Sequence, residues 1–463
     1  MSLISINLSN QKGQALILML AFTLILSISM IYLFNTSQLL AERTQAKVLA
    51  DHAAYNTATK QAQLLNANAY MNKAKIANQL ATAQAVSVAS WAKHFEPMPQ
   101  HTQAVNLIPY VGPEVQQAIT RYSRAVQPLA DLAAPTILVN NQATEIISFQ
   151  QNLLNSTSII PIQQVHRDTI DKSSIGAGFE SRPLITASQY AVNPLGGSFI
   201  KRYSGNSSDP SIGRARLKDV VLASRDDFTR ERRAKSIDDF KIPVFKNRLE
   251  ARGGTELSND LNQWKGVDTF SHHYRFWKTR KWRLPKLTWR EDQMGYGSAV
   301  VRDSGTGDND KSNNAGYNYA NINNDASKRS HQYTPRWDSR RNRTMNAGES
   351  GVPQFWDLET QVLTQSEPTL PTSIRVSKRG SRLDTTSGVS NLQVGDKLNI
   401  ISKDDVTAVS TAEAYFERPI QDRQGRPTYF NQNRLEKASL LNPYWQVRLT
   451  NNSAKAIAEA YVR

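Results

Sequence analysis

Apolar side chains form one uninterrupted block near the N-terminus, and elsewhere they recur at helical or strand spacing. Ala15 to Phe34 reads ALILMLAFTLILSISMIYLF, in which only Thr23, Ser27 and Ser29 are clearly polar. No charged residue falls between Gly13 and Ala41. A helix over this block rises ~30 Å, the thickness of a bilayer's hydrocarbon core. The alternatives are a cleavable signal peptide and a buried core helix. The run exceeds the ~7–15 residues of a signal-peptide core, and no small-x-small cleavage site follows it. The block therefore predicts a retained single span, a signal-anchor with the bulk of the chain outside. Lys12 lies on one flank, and Arg43 and Lys47 lie beside Glu42 on the other, so the positive-inside rule favours neither orientation.

Helical patterning continues past the block. Positions 14–96 contain neither glycine nor proline, and Pro97 and Pro99 supply the stop. Sixteen of the 52 residues from Ala41 to Ala92 are alanine, the strongest helix former. Ala46, Ala50, Ala54, Ala58 and Ala62 recur at i+4 as a small-residue stripe. The prediction is one helix of about 80 residues, roughly 120 Å long. Its soluble part must bury that stripe. One partner is a second helical region of the same chain, from Pro113 to Asn155, broken near Pro128 and Pro135. The other is a neighbouring copy, as in a filament or bundle. The intrachain helical hairpin is the favoured reading.

Strand-like alternation takes over later. Thr372 to Val376, Lys397 to Ile401, Val409 to Pro419 and Leu441 to Leu449 predict short strands, and Ala454 to Val462 a closing helix. Residues 303–350, rich in Asp, Asn, Gly and Ser, read as a long solvated loop. Asp303 to Asp310 also invites a calcium reading, but the twelfth-position Glu is missing. The fold class that follows is α+β.

Composition narrows the chemistry. The 463 residues include no cysteine, which removes disulfide scaffolds and thiol chemistry. Net charge is +16, which invites an anionic partner. The charge is concentrated: 201–345 holds 30 basic against 18 acidic residues, a net of +12. Its densest stretch runs from His272 to Arg290, and four of the eight tryptophans lie between Trp264 and Trp289. Arg275, Trp277, Lys278, Arg280, Lys281, Trp282, Arg283 and Trp289 form the candidate anionic-ligand patch, because interleaved cations and rings grip phosphates and stack on bases or sugars. The competing reading is strands with one buried and one solvated face. His272-His273 is a poor chelate, since neighbours on a strand point to opposite faces. No Walker loop, GxSxG, HExxH or GxGxxG is present, and no enzyme, metal or cofactor is expected.

Gln11-Lys12-Gly13-Gln14-Ala15-Leu16-Ile17-Leu18 opens the apolar helix, and Glu42 to Tyr55 continues it as ERTQAKVLADHAAY. This start resembles the N-terminal region of the TadE/TadG-like proteins of Flp (tight adherence) pilus assembly. The ending, with AEAYFERP and NPYWQVRL, is reminiscent of long TadG-like proteins. The resemblance implies an inner-membrane, single-pass protein with its bulk periplasmic or extracellular, acting as a structural or accessory component with other pilus-assembly or pilin-like subunits. It marks Gly13 and Gln14 as a candidate processing site. Type IV pilins place a Glu five residues after the processing glycine, where this chain has Leu18. A minor, pilin-like component therefore fits better than a repeating subunit. The implied organisation is a cytoplasmic leader (1–13), a transmembrane helix (14–34) and a long Ala-rich helix (35–96). A second helical region (97–160), a basic, loop-rich region (161–372) and a β-rich end (373–463) follow. The alternative from a different class is a membrane-tethered binding protein for an acidic polysaccharide or nucleic acid.

Overall fold

The computed structural model describes residues 12–107, 109–185, 188–192, 198–205, 213–234, 247–257, 261, 263–280, 283–302, 323–330, 351–383, 405–418 and 437–461. Helix α1 spans Lys12–His94, 83 residues, so it is about 125 Å long. With no glycine or proline after its second residue, nothing in it interrupts the backbone ladder. Among the described residues nothing covers its first part: Leu16 to Phe34 project apolar side chains outward, Leu18 being 73% exposed. This stretch is long and apolar enough to cross a membrane, and none of its most apolar window is buried in the body.

From Glu42 onward α1 becomes the core of the protein. The alanine stripe is fully formed: Ala46, Ala50, Ala54, Ala58 and Ala62 are all buried. Its partner, however, is mainly a sheet. Strands β1 (Phe179–Pro183), β8 (Thr369–Lys378), β9 (Val406–Phe416) and β10 (Trp445–Thr450) form an antiparallel sheet in the order β1-β8-β9-β10. Ile374, Val376, Val406 and Ala412 of this sheet pack on Ala46 to Ala58, with Ile170 of helix α4 (Ile159–Asp171) closing the side. Alanine suits this contact because a strand face lies closer to a helix without larger side chains between them. β8 also crosses the expected boundary at 372/373 and pairs with β1 from the preceding region.

The far half of α1 carries the helical hairpin. After a short helix α2 (Met98–His101) and a 3-10 turn, α3 (Gly112–Thr157) runs back along α1. The expected breaks at Pro128 and Pro135 do not occur; both lie inside α3. Each proline removes one backbone hydrogen bond. Around them Val126, Ala130, Ala133 and Ile137 are buried, and Gln127 Nε2 donates to Ala92 O at 3.1 Å. Tertiary packing thus overrides the local preference.

The hairpin seam is polar. Asn68 and Asn155 exchange amide hydrogen bonds at 2.8 and 2.9 Å. Gln151 Nε2 donates to Asn72 Oδ1 at 3.0 Å, and buried Lys75 Nζ donates to Gln151 Oε1 at 2.8 Å. Asn78 Nδ2 donates to Thr144 Oγ1 at 3.2 Å. Such buried amide pairs fix the sliding register of two helices.

A second antiparallel sheet, β3 (Arg232–Arg233), β4 (Asn247–Leu257), β5 (Gln263–Arg280) and β6 (Arg283–Arg302), lies on the end of α1. A Cβ on Gly297 would stand 2.4 Å from His94 N, so only glycine lets β6 cross there. Buried Trp264 donates Nε1 to Gln79 Oε1 at 2.9 Å. Ser90 Oγ donates to Asp268 Oδ2 at 2.6 Å, and Arg232 pairs with the same carboxylate at 2.5 Å. Helix α5 (Ala215–Ala223) and the β2 (Ile200–Tyr203)–β7 (Phe355–Leu358) pair fill the space between the sheets. Helix α7 (Thr360–Leu363) follows β7, and α8 (Ala454–Tyr461) closes the chain as expected. Residues 303–350 are described only at 323–330, where α6 (Asn324–Arg329) stands in place of the expected loop. The calcium-like stretch and the expected strand at 397–401 lie outside the described residues.

Candidate functional site

Among the described residues, β4 pairs with β5 as far as Asn247–Tyr274, while β5 and β6 continue together to Arg280–Arg283. Beyond Tyr274 the described part of the sheet is a two-stranded arm. Its direction follows from its contacts with α1. Trp264 meets Gln79, a Cβ on Gly266 would meet Val86 and Ser90, and one on Gly295 would meet His94 and Met98. β5 thus runs along α1 away from the apolar end, and the arm projects beyond the far end.

The register of the arm is Arg275 opposite Trp289, Phe276 opposite Thr288, Trp277 opposite Leu287, Lys278 opposite Lys286 and Arg280 opposite Arg283. Side chains alternate between faces, so Arg275, Trp277, Leu287 and Trp289 share one face. Trp277 is 58% exposed and Trp289 43%. The Trp289 ring lies 4.9 Å from the Arg275 guanidinium and 5.0 Å from that of Arg248, which reaches over from β4. Guanidinium groups are held there by the negative face of the indole. Arg248 is partly neutralised by Glu250 at 3.4 Å. On the other face His272, Tyr274 and Phe276 form a ladder of rings with centroids 5.3 and 6.4 Å apart. Lys278 and Lys286 are exposed, and neither has an ion-pair partner among the described residues.

The arm brings together four of the eight expected patch residues with their side chains described: Arg275, Trp277, Lys278 and Trp289. Arg280 and Arg283 stand opposite one another by backbone register, and Lys281 and Trp282 lie outside the described residues. Sequence reasoning missed Arg248, because only strand pairing brings it to Trp289. It also passed over Lys286 and Arg290, which the β5–β6 register, shifted by one between Lys278 and Arg280, places opposite Lys278 and Tyr274. The two histidines divide as expected: His273 is buried and bonds Asn323 Oδ1 at 2.8 Å, while His272 stacks on Tyr274. Gly13 and Gln14 fall in the first turn of α1.

Two other features bear on function. The outer face of α3 and the start of α4 carry Leu132, Val139, Ile146, Leu153 and Ile160, spaced by seven and 51–62% exposed. Only Asp131 and Glu145 are charged between residues 125 and 157. A cleft of about 790 Å³ beside β2 and β7 is lined by Lys201, Arg202, Trp356 and Glu359, among others. Its Lys201 is already paired with Glu359 at 3.1 Å. Among the described residues no group of three or more His, Asp or Glu is placed to hold a metal ion. Comparison with protein families, with characterised proteins and with solved structures gives no match.

Proposed function

We propose that the chain is a single-span membrane protein of TadE/TadG-like type. It acts as a structural or accessory, minor pilin-like component in Flp pilus assembly and surface attachment, with its body periplasmic or extracellular. The observation that carries this reading is the continuity of α1. One helix holds the uncovered apolar stretch and then supplies the core residues of all three main hydrophobic clusters of the body. A force on the body reaches the span through a single uninterrupted element. An assembly component also needs uncovered surface for its neighbours, and the seven-residue stripe on α3 offers one, since exposed apolar rows of this kind seat a second helix.

The test is genetic and biochemical together. The protein is expected in the carbonate-resistant inner-membrane fraction, with its body cut by protease added to the periplasmic side. Deleting it is expected to remove pili and attachment. The double substitution Val139→Asp and Ile146→Asp is expected to leave the protein folded, as both side chains face solvent, and to leave it unable to restore pili and attachment to the deletion strain. A soluble or cytoplasm-facing body, or normal piliation without the gene, overturns the reading.

A further inference from the structure

The arm holds an arrangement that folding alone does not account for. Lys278 and Lys286, both exposed, are directly opposed across the strand pair. Like charges facing one another across a strand pair destabilise it, and opposite charges in the same places would have stabilised it. Arg290, on the same ribbon, has among the described residues only the exposed Asp292 at 3.4 Å as counter-charge. The excess of cations on the described arm is therefore held ready for an anion that comes from elsewhere.

Distance and shape narrow that anion. The apolar stretch ends at Phe34 and β6 crosses α1 at His94, so about 90 Å of helix separates the two. Electrostatic attraction in physiological salt decays over about 8 Å. Headgroups around the chain's own apolar end are out of reach. The arm also pairs its cations with solvent-accessible rings: Trp277 and Trp289 beside Arg275 on one face, and half-buried Phe276 beside Lys278 on the other. A polymer that offers both closely spaced anions and free aromatic faces answers both features. Single-stranded nucleic acid does so, whereas a duplex keeps its base faces stacked inside.

We propose that the β5–β6 arm is a binding site for single-stranded nucleic acid. Arg275, Lys278, Lys286 and Arg290 take phosphates, and Trp277 and Trp289 offer stacking surfaces. The proposal goes beyond the assembly reading and does not rest on it, because the purified chain is tested without other subunits.

The experiment measures binding of a labelled thymidine 20-mer to the full chain in neutral detergent, between 50 and 200 mM salt. The affinity is expected to fall linearly on logarithmic axes, with a slope of about −0.7 per phosphate engaged. The double substitution Lys278→Gln and Lys286→Gln is expected to make that slope shallower by about 1.4. It is also expected to leave the melting temperature unchanged or raised, because it removes a repulsion. Trp277→Ala is expected to weaken binding roughly tenfold with little change in slope. No binding at 50 mM salt overturns the proposal, as does an unchanged slope in the lysine variant. Equal or tighter binding of the matching duplex overturns the single-strand assignment. Tighter binding of a polyuronate, untouched by Trp277→Ala, assigns the arm to acidic polysaccharide instead.

Discussion

At the scale of single residues, the most consequential contact lies where the body begins. Lys378 Nζ reaches Glu42 Oε1 at 2.6 Å, with both side chains more than nine-tenths buried, and lies 5.2 Å from the Phe179 ring centre. Glu42 Oε2 has no hydrogen-bond partner among the described residues. A buried pair of this kind adds little over an apolar pair, but breaking it strands a charge. Lys378→Met is therefore expected to cost about 3–5 kcal/mol, and adding Glu42→Leu to restore most of the loss. Thermal melts of the two variants in detergent check this. His166 gives a pH signature. Burial, with a smaller contribution from Arg167, pushes its imidazole down to about 4, and its Nδ1 is 2.8 Å from Ser181 Oγ. Between pH 6.5 and 4 the unfolded chain holds a proton that the folded chain refuses, so stability is intact above 6.5 and is lost as pH falls through that window. The loss is on the order of 2 kcal/mol after allowance for screening by solvent. Burial pushes His94 and His101 in the same direction. Melting curves from pH 7.5 to 4.5 are expected to show the decline, and His166→Gln to flatten it.

At the scale of elements, α1 was legible almost to the residue, because the absence of glycine and proline and the alanine recurrence are local properties. Strands β8, β9 and β10 were legible for the same reason, through alternation. What covers the alanine stripe was not legible. Pairing of β1 with β8 joins residues almost two hundred positions apart, and no local pattern reports it. The prolines of α3 misled for a related reason: their local cost is real, but long-range contacts at Ser123, Gln127 and Ala130 outweigh it. Arg248 belongs to the same class, since only the β4–β5 register brings it to the arm. The stripe makes its own prediction. Ala54 has no exposed surface and packs in the cluster that β8 and β9 supply. Ala54→Leu is expected to destabilise the body by about 1–3 kcal/mol through overpacking. The same change at exposed Ala41 is expected to be neutral, and paired melting curves compare them.

At the scale of the whole molecule, the fold is organised around a line. Successive stretches of α1 meet the β1-β8-β9-β10 sheet, the β2–β7 pair and the β3–β6 sheet, and the α1–α3 amide pairs hold the register of the upper half. Of the net +12 carried by 201–345, six basic residues and no acidic one stand on the arm at the far end, over 275–280 and 283–290. With the apolar end in a bilayer, this geometry acts as a lever. Transmembrane helices tilt by about 20° on average, and at a radius of about 90 Å a 10° change in tilt sweeps the far end sideways by roughly 15 Å. A small shift in how the span sits among lipids or neighbouring helices is thereby magnified into a search radius for the arm.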